Sequence, residues 1–263
     1  INLTANRTDT RQTQTQYVYA GMPRTYGGNF VMTTIGLKGM FSSSSGATGY
    51  ASQAFNQFLH NREIIAGRIM AQYHGATYPS SGFMEGSSLA GQPVSLETSA
   101  VSLNSADVLI PAFLSAYTQR SVGKIGLSAF PSLSSILPNW NVSYTGLSKT
   151  ELLKKYFRNV RINHAYRGIY NVDSYSSYLG WVGLTNGSNL GFIQDPSDPS
   201  TLTPVASMPF DIPFVRLEDS FAPLLGVEVT FMSGLGINTD YRKTRRLNLN
   251  LSAYQLVESN EDQ

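Results

Sequence analysis

Apolar and polar positions alternate with a period of two through much of the chain, most cleanly toward its C-terminus. Leu225, Val227, Val229 and Phe231 alternate with Gly226, Glu228 and Thr230. Ser233-Gly234 then marks a tight turn. Leu235, Ile237, Thr239 and Tyr241 alternate with Gly236, Asn238 and Asp240; after the polar cluster 242–246, Leu247, Leu249, Leu251 and Ala253 alternate with Asn248, Asn250 and Ser252. A strict period of two is a strand with one apolar and one polar face. Three such strands with short turns predict an antiparallel meander. A longer strand is predicted over 157–175. Val160, Ile162, His164, Tyr166, Tyr170 and Val172 share one face; Arg161, Asn163, Arg167, Asn171 and Asp173 share the other. Trp140, Val142 and Tyr144 mark another strand. The N-terminal part reads as three more: 1–6, 14–20 and 29–41, the last apolar on both faces and carrying Lys38.

Two stretches change period. Phe55, Phe58, Leu59, Ile65 and Ile69 recur at three- and four-residue spacing, predicting a helix over 50–71. Ser105 or Asp107 can cap a second helix running to Thr118, with Pro111 tolerated if it falls in the first turn. Loops rich in Ser, Gly and Pro occupy 42–49, 78–93 and 195–213. Connections this long are usually functional or mobile.

Composition turns the pattern toward a membrane. Charged residues are 14% of the chain, well under the roughly 25% of an average soluble domain. The 15 Tyr, 13 Phe and 23 Gly suit lipid-facing strands. A sandwich usually exposes many Lys and Glu, whereas these polar faces carry mainly Asn, Thr, Ser and Gln with occasional Arg. That lining suits a wet lumen, and Tyr or Trp near strand ends suits an interfacial girdle. Arg161, Asn163, Arg167, Asn171, Glu228, Asn248 and Asn250 are the lumen-lining candidates; Trp140, Tyr144, Tyr166, Tyr170, Phe231 and Leu249 are the lipid-facing or girdle candidates. At about 3.3 Å per residue, the 157–175 strand outruns a band about 25 Å tall and should project beyond the membrane. No apolar run approaches the roughly 18 residues of a spanning helix.

Chemistry is sparse. A net charge of +2 gives no nucleic-acid signature. There is no Cys, and His60, His74 and His164 are scattered, with no H-x-x-x-H, G-x-S-x-G or P-loop. No catalytic, cofactor-binding or metal constellation is expected. A packed His164 is favoured over a ligand, and a solvated loop at Glu218-Asp219 over a calcium site. The Arg242, Lys243, Arg245, Arg246 cluster reads as a solvated turn at the interface, with anionic headgroups or a partner as the alternative. Arg161 and Arg167 are expected to pair with carboxylates such as Asp173 or Glu228. Phe55, Phe58 and Leu59 are expected to pack into a core.

Ordered motifs add a resemblance. Phe55-Asn56-Gln57-Phe58 precedes Asn61-Arg62 and Ile64-Ile65; then comes Asp107-Val108-Leu109-Ile110-Pro111-Ala112-Phe113. Leu137-Pro138-Asn139-Trp140 and Tyr144-Thr145-Gly146-Leu147 lead to His164-Ala165-Tyr166-Arg167 and Tyr170. Phe221-Ala222-Pro223-Leu224-Leu225-Gly226-Val227 is followed by Tyr241-Arg242-Lys243-Thr244-Arg245 and Leu247-Asn248-Leu249. Each motif alone is weak, but their order over nearly the whole chain resembles the C-terminal portion of the SprA/Sov family, the outer-membrane translocon of Bacteroidota type IX secretion.

The resemblance implies an antiparallel transmembrane β-barrel segment, mainly β, belonging to a very large barrel in the outer membrane. It implies a channel passing folded cargo with C-terminal secretion signals. Implied partners are the rest of the barrel chain, an outer-membrane protein of the PorV kind, a periplasmic plug protein and the lipid bilayer, with no cofactor. The expected division is barrel strands at 1–41, an insertion with two helices at 42–138, barrel strands at 139–175, a long loop at 176–223 and barrel strands at 224–263, the closing strand missing. The pattern is already under way at Ile1, so the sequence reads as part of a longer chain. Placing a turn at 242–246 in the periplasm puts the 42–138 insertion there too. The alternatives are a small-solute channel and a surface β-domain binding carbohydrate; an enzyme is the class least supported.

Overall fold

The 157–177 segment organises the molecule, because its alternation gives one strand two continuous faces. In the structure, a computed structural model describing residues 1–41, 52–95, 101–118, 120–184, 189–196 and 202–263, it forms β5 (Phe157–Ser177). β1 (Asn2–Thr4), β2 (Arg7–Thr15), β3 (Arg24–Thr33) and β4 (Asn139–Tyr144) lie to one side of it. β3 and β4 pair directly with β5, at its C-terminal and N-terminal halves respectively; β2 pairs with β3 and β1 with β4. On the other side run β10 (Phe214–Phe231), β11 (Gly236–Asn250) and β12 (Gln255–Asp262), all antiparallel. The sheet is open, with β12 on one edge and β1 and β2 on the other. A small sheet holds β6 (Val182–Gly183), β7 (Gly191–Gln194) and β8 (Pro204–Ser207), and β9 (Phe210–Asp211) pairs with the end of β5.

Two helices cover part of one sheet face. α1 (Gln53–Gln72) begins at Ser52, whose hydroxyl accepts the Phe55 N–H at 3.1 Å. That satisfies one of the free donors of a helix start. α2 (Ala106–Tyr117) runs between Ser105 and Thr118, the expected bounds, but the Ser105 side chain makes no capping hydrogen bond and Asp107 accepts the Met208 N–H instead. Pro111 sits in its second turn, beyond the first turn expected for it. Asn61 of α1 donates to the Ser115 hydroxyl of α2 at 2.7 Å in a buried contact. Phe58, Ile65, Ile69, Ile110 and Phe113 form one core with Phe30, Tyr170, Val172, Val215, Leu217, Leu247 and Leu249 of the sheet. The helical insertion therefore shares its core with the strands on either side of it in sequence. Phe58 packs there as expected, while Leu59 is turned outward.

Several expected boundaries move. The 224 boundary falls inside β10, which is continuous from Phe214 apart from a bulge between Phe221 and Leu225. Pro223 sits in that bulge, a place where a strand tolerates a missing N–H. The 176–223 loop consequently holds β6 to β9 and the first half of β10. β11 passes straight through 242–246, so there is no turn there and the strand count that placed the insertion in the periplasm lapses. β3 ends at Thr33; 34–41 leaves the sheet and folds back over it. The expected 14–20 strand lies instead at 7–15. The 42–49 loop, the start of the first helix at 50–51 and part of the 195–213 loop lie outside the described residues.

Candidate functional site

The register collects the lumen candidates on one face. Asn171 lies opposite Arg216 and Arg216 opposite Asn248; Arg161 lies opposite Glu228, and Phe214 opposite Asn250. Since side chains alternate, Arg161, Asn163, Arg167, Asn171, Glu228, Asn248 and Asn250 all project from the same side of the sheet. Arg161 and Glu228 pair across strands at 3.3 Å, as expected. Asp173 takes a different partner, Arg216 at 2.7 Å. Arg246 joins the same face between Glu218 and Glu261. Asn163 borders a shallow polar depression of about 270 Å³ with Asn141, Asn238, Asp240 and Arg242. This face is polar from Asn159 to Asn163 and at the positions paired with them, while Ala165, Ile169, Phe214 and Val257 interrupt it further along.

The opposite face divides into two halves. Near the C-terminal end of β5 it lies under the helical layer. Tyr170 and Leu249, expected to face lipid, are buried there, and the Tyr170 hydroxyl donates to the Ala129 carbonyl at 2.9 Å. Tyr166 is buried too, beneath 34–41, and stacks on Trp140 with ring centroids 4.5 Å apart. Alternation placed these side chains on the correct face, but what covers that face comes from segments distant in sequence. The other half has no such cover. Tyr144 is 54% exposed, Leu225 52%, Ile237 50% and Leu3 66%. Ile162, Val227, Val229 and Phe231, all half-buried, continue this surface by register around the buried Val160, and Phe157 packs on Phe231. From Val160 to His164 on β5, and at the positions paired with them, this face carries no formally charged side chain. Among the girdle candidates, Tyr144 is exposed, while Trp140 and Phe231 are half-buried at its borders.

Between the two halves lies a buried ion pair that sequence reasoning missed. Arg245 and Asp219, both fully buried, meet at 2.8 Å. Asp219 also accepts the Tyr166 hydroxyl at 2.6 Å and the Gly36 N–H at 3.0 Å. Arg245 donates to the Lys38 carbonyl at 2.8 Å and to the Gly36 carbonyl. The cluster thus fastens 34–41 across β5, β10 and β11. Gly36 is required by closeness: a methyl group there would sit 2.5 Å from one Asp219 oxygen and 2.6 Å from the other. Asp219 and Arg245 are therefore neither a solvated loop nor a solvated turn. The other basic residues of that cluster are paired as well, Arg242 with Asp240 and Lys243 with Asp262.

His164 is a packing residue. Its Nδ1 lies 2.6 Å from the Leu224 carbonyl, and its ring lies beside Trp140 and Phe221. Under the helical layer, a largely apolar cavity of about 450 Å³ is lined by Ile69, Tyr73, Asp107, Phe130, Met208 and Phe210 among others. Burial pushes the Asp107 carboxyl up to about 6, although it accepts the Met208 N–H at 2.7 Å. No group of three or more His, Cys, Asp or Glu side chains among the described residues is placed to hold a metal ion. No described helix is long and apolar enough to cross a membrane, which says nothing of strands.

No family model and no curated protein matches this chain. The structural class is a mainly β, antiparallel sheet with a helical layer on one face.

Proposed function

We propose that this chain forms an arc of the wall of the protein-conducting outer-membrane channel of type IX secretion. The observation that carries the reading is the pairing of an exposed, uncharged apolar half-face with a mainly polar face on the same strands. From Phe157 to about Ala165 the strand has the length of a membrane-crossing barrel strand, about nine residues. Lipid takes the apolar side of that stretch and a hydrated conduit the other. A conduit does no bond chemistry; it needs walls that do not hold what passes. Asn163, Asn171, Asn248 and Asn250, with charges neutralised in pairs such as Arg161–Glu228, meet that need. Beyond the membrane, β5 continues under the helical layer.

The ordered sequence motifs narrow this wall to the SprA/Sov family. The family's partners, the PorV-type protein and the periplasmic plug, come with that proposal. A surface β-domain would account for the helical layer, but it leaves the exposed apolar half-face without a purpose. Outer-membrane barrels keep short turns on the periplasmic side and long loops outside. The end away from the helices carries only the connections 145–156 and 232–235, whereas the helical end carries the long 178–213 connection beside the short 16–23 and 251–254. This rule turns the helical layer outward, opposite to the placement drawn from the 242–246 turn.

The test is depletion of the protein in cells secreting a tagged cargo with a C-terminal secretion signal. Cargo trapped in the periplasm is the expected result; cargo still reaching the surface overturns the reading. A native polypeptide near 28.8 kDa, the mass of this sequence alone, overturns the large-barrel part.

A further inference from the structure

The apolar half-face ends in a rim whose charge differs from the rest of the sheet. The β4–β5 connection passes through a 3-10 turn (Gly146–Lys149) and α3 (Glu151–Lys154). It is tied to the β10–β11 turn by the Met232 N–H, which donates to the Tyr156 carbonyl at 3.1 Å. Lys149, Lys154, Lys155 and Arg158 all project from this rim into solvent, against one acid, Glu151. Among the described residues, none of the four lies within 4.0 Å of a carboxylate, whereas Arg242, Lys243, Arg245 and Arg246 are all paired. Interleaved with the free cations are exposed apolar side chains: Leu152 at 84%, with Tyr156, Met232 and Leu235. The Lys155 ammonium sits 5.7 Å from the Tyr156 ring centre.

We propose that this rim binds the phosphate headgroups of anionic glycerophospholipids in the periplasmic leaflet of the outer membrane. The inference rests on the membrane reading above. Unpaired cations directly bordering an uncharged apolar band lie at the depth of the lipid phosphates. Leu152, Met232 and Leu235 can enter the acyl region while Lys149, Lys154, Lys155 and Arg158 reach back to the headgroups. With the long 178–213 connection at the helical end, this opposite rim faces the periplasmic leaflet, whose lipids are glycerophospholipids. The headgroup contact that 242–246 suggests in sequence thus moves to a rim where, among the described residues, the cations have no carboxylate partner.

The native protein, purified from outer membranes and exchanged into detergent, is incubated with equimolar phosphatidylglycerol, phosphatidylcholine and lipid A. Retained lipid is counted by native mass spectrometry. Wild type should retain phosphatidylglycerol over phosphatidylcholine, each Lys→Gln or R158Q change lowering that preference roughly fivefold. The K149R/K154R/K155R variant should keep it, because charge rather than side-chain shape is at issue. Equal retention by wild type and the K149Q/K154Q/K155Q/R158Q variant overturns the proposal. Preference for lipid A overturns the leaflet assignment and with it the proposal. Release of the native protein from membranes by a high-pH wash overturns the membrane reading itself; a protein that stays in the membrane but shows no rim dependence sinks this inference alone.

Discussion

Replacing Arg245 by Met should be the most damaging single change in the sheet. The side chain is fully buried, meets Asp219 at 2.8 Å and supplies donors to the carbonyls of Gly36 and Lys38. Met fills similar volume but leaves the Asp219 carboxylate without its cation and two carbonyls without donors. Breaking a buried ion pair from one side costs about 3–5 kcal/mol. Asp219→Asn keeps acceptors for Tyr166 and Gly36 but strands the guanidinium charge, and should cost somewhat less. The R245M/D219N double variant buries neither charge, so it should be less destabilised than the sum of the singles by about 1–3 kcal/mol. Trp140 reports on the cluster directly, because it stacks on Tyr166 at 4.5 Å and Tyr166 donates to Asp219. Denaturant unfolding followed by Trp140 fluorescence, in a W181F background, gives each free energy. A loss under about 1 kcal/mol for R245M, or additivity within about 0.5 kcal/mol, would refute the argument that the pair fastens 34–41 to the sheet.

Three further outcomes are expected. Gly36→Ala should destabilise by about 1–3 kcal/mol in the same assay, because its methyl group meets Asp219 at 2.5 Å. Arg161→Ala should cost under about 1 kcal/mol, since its pair with Glu228 is roughly half exposed on both sides; a larger loss would mean that the polar face supports the fold rather than lining a conduit. For Asp107, burial raises the folded-state carboxyl to about 6, so between about pH 4 and 6 the folded state holds more of its proton than the unfolded chain. Its contribution to stability therefore falls as pH rises through that window and levels off above it. Asp107→Asn should flatten this part of the stability–pH curve; an unchanged slope would show that the carboxyl is not shielded from water.

Local pattern was legible where local chemistry decided the structure. β5 appears within two residues of its expected end, and α2 keeps its expected bounds at Ser105 and Thr118, although no side chain caps its start. Face assignment was also legible: the seven lumen candidates share one side by register. What failed depended on partners distant in sequence. The 242–246 stretch looks like a turn because alternation treats charge as solvated, yet Arg245 turns inward to Asp219, 26 residues away. Tyr166 and Tyr170 look lipid-facing because an apolar face does not say what covers it. A signal was present in part, since Asp219 stands at an apolar-face position between Leu217 and Phe221. A lone acid at such a position calls for a buried cation.

β5 carries a mechanical consequence. Both its edges are hydrogen-bonded, to β3 and β4 on one side and to β10 on the other, and it runs without a break from the short-turn rim to beneath the helices. A load pulling the helical end along the strand axis would put those ladders in shear, stretching many hydrogen bonds at once instead of unzipping them singly. The two ends of the sheet would then tilt together as one stiff spar, and strain from anything pressing on the helices would be felt at the rim.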